Sequence, residues 1–370
     1  MKRFVYQCVI IVLALLIYGC SDDETILPEE EVAIPVPEEV EEVPEDPIFP
    51  DANHNGFTGA IFDLEATPEG DLLVADAGAG IASCLGGATI PLLGVSNIAI
   101  TNGGDMLALK GAPDADDTVQ DIGQGLYQIS DGTSEFLVNL FNFDLANNPD
   151  GGEIGSNPYS VLSLNGNTAL IADAGANDLL RVDGEGNVEL VAVFPTELVS
   201  TANVQSLVEC PNPSDICNLP EMIPAEAVPT AVAVGPDGYY YVGELKGFPA
   251  PTGESRIWKV APDANGTMCG TDPACVIVFD GGFTSIIDMV FGADGRLYVA
   301  EFDAQSWFAL EVGGGEGGVI KSCDVTTMEC TTIATGIPML TAIAFDESGV
   351  LWATRDALIP ELAEVFRVME

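Results

Sequence analysis

Four acidic residues recur at one position of a repeated sequence pattern, and together they have the chemistry of a site for a hard cation. Each closes an apolar stretch and stands six residues after a turn residue: Asp76, Asp173, Glu244 and Glu301. Carboxylate oxygens without histidine or cysteine suit Ca²⁺ better than zinc or copper. If the ends of these stretches converge on one face of the fold, the sequence predicts that the four residues bind Ca²⁺.

Basic residues, Lys110 and Arg355, occupy the same position in two further copies of the pattern. The alternative interpretation is therefore that the four acids are structural groups at strand ends and pair with these two cations. Charged groups at the ends of sheets are usually solvated or paired, which favours this second interpretation.

The pattern that positions these residues is a strand, a turn ending in Gly or Asn, and a second strand. It occurs six times, and the phrase VADAG at 74–78 returns as IADAG at 171–175. Further apolar stretches follow most copies, and no long segment has the 3.6-residue periodicity of a helix. Units of four antiparallel strands, spaced by 34 to 71 residues, are typical of a β-propeller. We expect an all-β fold, a six-bladed β-propeller at residues 57–370.

Closure of the ring usually requires a fourth strand for the sixth blade. The chain ends in EVFRVME, which supplies only a third strand for the sixth blade. A propeller usually completes its last blade with the other terminus, because this removes an exposed sheet edge. The segment PIFPDANHNG before Phe57 is a poor strand, so we expect a sixth blade that is three-stranded or thinly completed.

Residues 1–20 are predicted to be a lipoprotein signal peptide that precedes the fold. They begin with Lys2 and Arg3, continue with an apolar run too short for a comfortable membrane span, and end in Ile-Tyr-Gly-Cys. This ending resembles a lipobox, in which Cys20 would carry the lipid. An ordinary signal peptide is the alternative.

Residues 21–56 are predicted to form a disordered acidic tether. The first thirty of them contain twelve acidic residues, no Lys or Arg, and repeated proline, so they cannot bury enough surface to fold. We expect the protein to be lipid-anchored at the outer membrane or cell surface of a Gram-negative bacterium, with a periplasm-facing location as the alternative. Its contact with the membrane would be through the lipid alone.

The overall charge excludes one class of partner. With 58 acidic and 11 basic side chains, the formal charge is −47, which repels phosphate backbones, so no nucleic-acid partner is expected. The same charge either attracts cations or only keeps the protein soluble in a salty medium. The chain is expected to be a monomer.

The sequence also argues against two common catalytic chemistries. The chain has one histidine, His54, which precedes the first repeat, so a histidine base or histidine-bound zinc within the repeats is not available. No GxSxG sequence is present, which argues against a serine hydrolase.

Six of the cysteines occur as three close pairs, which predicts three local disulfide bonds. The pairs are Cys210 with Cys217, Cys269 with Cys275, and Cys323 with Cys330. An exported protein meets an oxidising environment in which such bonds form. Cys84 is expected to remain a thiol, buried in the first blade.

Three segments resemble the ScyD/ScyE family of propeller proteins, which is named for a scytonemin pigment cluster and related to NHL-repeat and SMP-30-like propellers. They start at Ser156 (SNPYSVLSLNGNTALIADAG), Val228 (VPTAVAVGPDGYYYVGELKGFPAP) and Phe283 (FTSIIDMVFGADGRLYVAE). The resemblance covers about residues 57–368 and implies the propeller fold. The family has no assigned catalytic mechanism, whereas related SMP-30-like propellers use a metal for lactone hydrolysis.

Two functions remain open at this point. The first is non-catalytic binding of a small molecule, glycan or protein on the loop-rich face of the propeller. The alternative is a divalent-metal-dependent lactonase or hydrolase of the SMP-30 type, in which the strand-end acids would hold the metal.

Overall fold

The computed structural model describes residue 54 and residues 56–111, 124–165 and 167–368. The predicted signal peptide, the lipidation site Cys20 and most of the predicted tether lie outside these residues. Within them, six successive sheets form the blades of a propeller, so the predicted all-β, six-bladed fold is confirmed. None of the helices in this part of the chain is long and apolar enough to cross a membrane.

The first three blades follow the chain without interruption. Blade 1 contains β1 (Ile61–Ala66), β2 (Leu72–Asp76), β3 (Gly80–Ser83) and β4 (Ile90–Pro91). Blade 2 contains β5 (Val95–Ile100), β6 (Met106–Lys110), β7 (Gly125–Ser130) and β8 (Thr133–Val138). Helix α1 (Leu140–Asn147) leads to blade 3, with β9 (Pro158–Ser163), β10 (Ala169–Asp173), β11 (Asp178–Val182) and β12 (Val188–Val193).

An insertion separates blades 3 and 4. It pairs β13 (Glu197–Ser200) with β14 (Met222–Ala225) and contains the short helix α2 (Ala202–Leu207) and a 3₁₀ turn (Asp215–Asn218).

The remaining blades complete the ring. Blade 4 contains β15 (Pro229–Val234), β16 (Tyr240–Glu244), β17 (Ser255–Val260) and, after the short β18 (Thr267–Met268) that pairs with β12, β19 (Cys275–Phe283). Blade 5 contains β20 (Ile286–Phe291), β21 (Leu297–Glu301), β22 (Gly318–Asp324) and β23 (Glu329–Ile337), with α3 (Trp307–Glu311) after β21. Blade 6 contains β24 (Ile343–Phe345), β25 (Leu351–Arg355) and β26 (Glu364–Arg367).

The sixth blade is three-stranded, as predicted, and is thinly completed by the N-terminal side of the fold. The N–H of Val365 in β26 donates to the carbonyl of His54 at 3.0 Å, an isolated bridge in place of a fourth strand. Burial of Phe57 and Ile61 against Val365 adds apolar contact at the same junction. The N–H of Ile61 also donates to the carbonyl of Ala357 at 2.8 Å, and that of Glu361 to the carbonyl of Phe57 at 3.2 Å. The bridge, these two bonds and the packing together join the two ends of the ring.

Polar side chains also tie each innermost strand to the next blade. In four blades a side-chain oxygen accepts a backbone N–H of the next innermost strand, and in two a threonine hydroxyl donates to a carbonyl. The pairs are Asp63 with Ile98, Asn97 with Val161, Ser160 with Val232, Thr230 with Ile286, Asp288 with Ile343, and Thr341 with Ile61. The last pair closes a complete circuit around the central channel.

Apolar packing between blades accounts for the continuous hydrophobic stretches of the sequence. Every residue of β10 and β16 is buried, because these strands face a neighbouring blade on both sides. Phe194 and Trp258 pack between blades 3 and 4 with their ring centroids 6.1 Å apart. Full burial of one large apolar side chain contributes about 1.5–3 kcal/mol, so these interfaces dominate the stability of the ring.

The three predicted disulfide bonds, Cys210–Cys217, Cys269–Cys275 and Cys323–Cys330, are all present. Cys84 is a free thiol, as expected, but it is only partly buried. Burial, together with the nearby charge of Asp71, raises the pKa of this thiol to about 12, so it stays protonated and unreactive at neutral pH.

Candidate binding site at the mouth of the channel

The predicted strand-end acids all lie on the same face of the propeller. In blades 1, 3, 4 and 5 the last residue of the second strand pairs with the first residue of the innermost strand, which starts at this face. We call it the entry face, defined by the strand-end acids Asp76, Asp173, Glu244 and Glu301. The channel opens here, between the beginnings of the innermost strands.

Asp76 binds the loop that enters blade 1. Its carboxylate accepts the backbone N–H groups of Thr58, Gly59 and Gly78 at 2.8 to 2.9 Å. A Cβ atom on Gly59 would lie 2.2 Å from the nitrogen of Gly78, so the two backbone segments approach as closely as only glycine permits. The carboxylate therefore works as a clamp between an incoming loop and the turn after β2.

Asp173 makes the same arrangement in blade 3. It accepts the hydroxyl of Ser156 at 2.5 Å and the N–H groups of Asn157, Gly175 and Ala176 at 2.7 to 3.2 Å. Burial raises its pKa to about 6, and these hydrogen bonds limit the rise. The repeated Asp-Ala-Gly phrase is thus explained by a structural need: the Asp holds the loop, and the Gly admits its close approach.

Glu244 and Glu301 are held by lysines of their own surroundings. Glu244 accepts the indole N–H of Trp258 at 2.6 Å and pairs with the buried Lys246 at 2.6 Å. Glu301 accepts the N–H of Thr284 at 2.5 Å and pairs with Lys321 at 2.8 Å. Burial raises the pKa of both carboxyls, and the lysines oppose that rise.

These contacts agree with a structural role for the four acids. The basic residues that pair with them, however, are not the expected Lys110 and Arg355. Glu244 and Glu301 take their cations from Lys246 and Lys321, whereas Arg355 pairs with Glu364 at 2.6 Å. Within the described ranges, no group of three or more His, Cys, Asp or Glu side chains is arranged to hold a metal ion. Calcium binding by Asp76, Asp173, Glu244 and Glu301 stays a prediction.

A small pocket of about 30 Å³ lies at the channel mouth on the entry face. Aromatic and aliphatic side chains form most of its wall, and none of its lining residues is charged: Asn157, Tyr159, Ala174, Val228, Thr230, Leu245, Ile287, Phe302, Trp307, Thr341 and Leu358. The hydroxyls of Thr230 and Thr341 already donate to backbone carbonyls at 2.6 and 2.8 Å. The pocket therefore offers a predominantly apolar surface.

Sequence reasoning did not find these residues, although part of the signal was present. Ala174, Leu245 and Phe302 each stand directly after a strand-end acid, so the repeat that revealed the acids also marks them. Trp307 lies on α3, outside the repeat, and no spacing rule indicates that its ring reaches the channel.

Three carboxyls lie further along the innermost strands: that of Asp63 is buried, and those of Glu65 and Asp288 are partly buried. Burial raises the pKa of Asp63 to about 6, that of Asp288 to about 7 and that of Glu65 to about 8. Burial, assisted by the charges of Asp288 and Asp63, also raises the pKa of the Tyr159 phenol, which keeps it neutral at physiological pH. The channel thus passes from an apolar mouth to an acidic interior.

No protein-family model matches this chain, and no curated protein matches it either. Solved structures do match it. The putative glucose dehydrogenase of Thermus thermophilus superposes with a TM-score of 0.53 at 13% identity, over 86% of this chain and 99% of that one.

Two further structures agree. A gluconolactonase of Xanthomonas campestris gives a TM-score of 0.50 at 10% identity, over 85% of this chain and 88% of its own. The PQQ-bound aldose sugar dehydrogenase of Streptomyces coelicolor gives 0.50 at 12% identity, over 86% and 96%. The shared feature is the six-bladed propeller. At such identities the similarity is one of fold.

Proposed function

We propose that this protein binds a small, largely apolar molecule in the channel-mouth pocket and does not transform it. The observation that carries the proposal is the composition of the pocket wall, in which aromatic and aliphatic side chains surround few polar groups.

The wall also argues against chemistry at this position. General acid–base or nucleophilic catalysis needs a titratable or nucleophilic group within hydrogen-bonding reach of the ligand. The threonine hydroxyls of the wall are engaged with backbone carbonyls, and the raised pKa of Tyr159 makes its phenol a poor base. The apolar wall also favours a small molecule over a glycan or a protein, which need more polar or more extended surfaces.

The alternative function is a metal-dependent lactonase of the SMP-30 type that uses the strand-end acids. It requires carboxylate oxygens that are free to coordinate a metal. The described partners of Asp76 and Asp173 are backbone N–H groups and two hydroxyls, and those of Glu244 and Glu301 include lysines. We therefore place non-catalytic binding first.

We further propose that the binding domain is displayed outside the cytoplasm by a lipid on Cys20, and that it is a divergent relative of the ScyD/ScyE propellers. The leader sequence at 1–20 supports the first of these proposals, and the quoted segments of blades 3 to 5 support the second. Radiolabelled fatty-acid incorporation that is lost in Cys20→Ser would test the anchor.

Filling the pocket tests the proposed function. The probe is N-phenyl-1-naphthylamine, a neutral aromatic dye whose fluorescence rises in apolar sites and which the negative protein does not repel. We expect saturable binding by the wild type and a loss of at least tenfold in affinity in Ala174→Leu, because the added side chain occupies the pocket.

Ala77→Leu is the matched control, since Ala77 follows Asp76 in the same Asp-Ala-Gly phrase but does not line the pocket. It should bind the dye as the wild type does. Equal dye binding by Ala174→Leu and the wild type, or no saturable binding at all, would refute the proposal.

A further inference from the structure

Asp178, the first residue of β11 on the entry face, is a fully buried carboxylate without a hydrogen-bond partner. Its exposed fraction is 0%, and neither Oδ1 nor Oδ2 has a hydrogen-bonding or ion-pairing group within reach in the described structure. A buried carboxylate is normally paired or bound to a metal, because an isolated one loses its hydration without compensation. Asp178 therefore needs an explanation that the strand-end acids do not.

Two more unpartnered oxygens belong to the segment that precedes blade 3. Asp144 of α1 is 1% exposed, and its Oδ1 has no partner, whereas its Oδ2 accepts the N–H of Gly155 at 2.8 Å. Asn148 caps the same helix; its Nδ2 donates to the carbonyl of Gly152 at 3.2 Å, and its buried Oδ1 is unpartnered. In both residues one polar side-chain atom forms a hydrogen bond to the loop, and the other has no hydrogen-bond partner.

The loop at 148–155 is fastened against the start of β11. Asn177, the neighbour of Asp178, donates its Nδ2 to Asp150 at 3.0 Å and accepts the N–H of Val228 on its Oδ1 at 3.0 Å. Asp150 itself accepts the N–H of Gly152 at 2.8 Å. The bond from Asn177 to Asp150 fastens the loop that follows α1 to the residue directly before Asp178.

The electrostatics of this region lack positive charge. Within the described ranges no Lys or Arg forms an ion pair with Asp144, Asp150, Asp173 or Asp178. Burial raises the pKa of Asp178 well above its usual range, and the charges of Asp173, Asp144 and Asp150 raise it further. A cation at this position would supply the missing partner for several oxygens at once.

We propose that Asp178, Asp144 and Asn148 form a binding site for a hard divalent cation of the calcium type. Two carboxylates and an amide supply oxygen ligands only, which is the chemistry that Ca²⁺ selects, and backbone carbonyls and water complete its six to eight ligands in such sites. Mg²⁺ requires a tighter octahedral arrangement, which a loop-built site satisfies less readily. This site is distinct from the strand-end acids and from the apolar pocket, and it does not depend on the proposed function.

Calorimetric titration of the EDTA-treated protein with CaCl₂, together with melting curves, tests this inference. We expect the wild type to bind one Ca²⁺ and to melt at a higher temperature when Ca²⁺ is present. Asp178→Asn should weaken binding at least tenfold and lose that rise, while its metal-free form melts no lower than the wild type because the carboxyl of Asp178 has no hydrogen bond to lose. Asp144→Asn should also weaken binding, so the test does not depend on one variant.

Asp131→Asn is the control for net charge, since Asp131 is an exposed residue of the β7–β8 turn, and it should bind as the wild type does. Absence of Ca²⁺ binding by the wild type would overturn the proposal in favour of a permanently protonated Asp178. Wild-type affinity in both Asp178→Asn and Asp144→Asn would overturn it by placing the ion elsewhere.

Discussion

Asp173 and Asp178 are paired across the end of the β10–β11 hairpin, yet their surroundings are opposite. Asp173 receives four hydrogen bonds, three of them from backbone N–H groups, whereas Asp178 receives none. Asp173 ends a second strand, where the loop that enters the blade turns its N–H groups inward. Asp178 starts a third strand, where no described group donates a hydrogen bond to its carboxylate.

The contrast shows that burial of an acid on the entry face does not reveal its role. A carboxylate with a full set of donors is a structural clamp, and one with none is a candidate ligand. The four strand-end acids are of the first kind, the structural clamps. Asp178 and Asp144 are of the second kind, the candidate ligands. Experiments that treat the two kinds of acid alike should therefore give opposite results.

The largest expected effect is the loss of the clamp. Asp173→Ala leaves buried N–H donors and a hydroxyl unpaired, at a cost of about 1–3 kcal/mol for each unsatisfied group, so we expect the free energy of unfolding to fall by about 3 kcal/mol or more. Asp178→Ala, the matched control, removes no hydrogen bond and should cost less than about 1.5 kcal/mol in EDTA. Urea denaturation measures both. Similar losses in the two variants would contradict the distinction.

A second effect concerns the pH dependence of stability, because the channel acids combine hydrogen bonds with burial. The pKa values of Asp63, Asp288 and Glu65 are raised to about 6, 7 and 8, so between about pH 4 and pH 8 the folded protein holds more protons than the unfolded chain. Stability must then fall as the pH rises through this window, by up to about 1.4 kcal/mol per pH unit for each such carboxyl.

Melting curves from about pH 5 to pH 8 check this sign. Asp288→Asn should flatten the decline, because the amide does not titrate and its oxygen can still accept the N–H of Ile343. Asp131→Asn, which changes an exposed acid, should leave the decline unaltered. Stability that rises with pH across this range in the wild type would show that burial does not dominate the titration of these carboxyls.

The smallest expected effect is that of Glu301→Gln on the response to calcium. If the strand-end acids are clamps, the Gln side chain can keep the N–H of Thr284, and the Ca²⁺-dependent shift in melting temperature should match that of the wild type. Magnesium and sodium at equal ionic strength control for screening. Selective loss of the calcium shift in this variant would instead support the calcium site predicted from Asp76, Asp173, Glu244 and Glu301.

The fold could be read from the sequence because every blade repeats a turn residue and, six positions later, a charged residue. The same repeat contained an unused signal. Asp63 and Asp288 each precede the strand-end acid of their own blade by thirteen residues, as Asn97 and Ser160 precede Lys110 and Asp173, and these positions link the blades. Local disulfides were predictable because the loops they close are short.

The candidate site was less predictable because its parts come from outside the repeat. Trp307 reaches the pocket from α3, and Asp144 and Asn148, which we propose to act with Asp178, belong to α1 and its cap. The repeat located Glu244 but could not identify Lys246, two residues later, as its partner, because that contact depends on a buried turn. Contacts between side chains of different loops depend on the tertiary structure, so they produce no periodic pattern in the sequence.

The most direct test of the central claim is a crystal structure of the protein with N-phenyl-1-naphthylamine. We expect the dye at the channel mouth, in contact with Trp307, Phe302 and Tyr159, with the strand-end carboxylates still bound to their present partners. A dye molecule bound elsewhere on the protein, or an empty channel mouth in crystals soaked above the measured Kd, would contradict the claim that this pocket is the binding site.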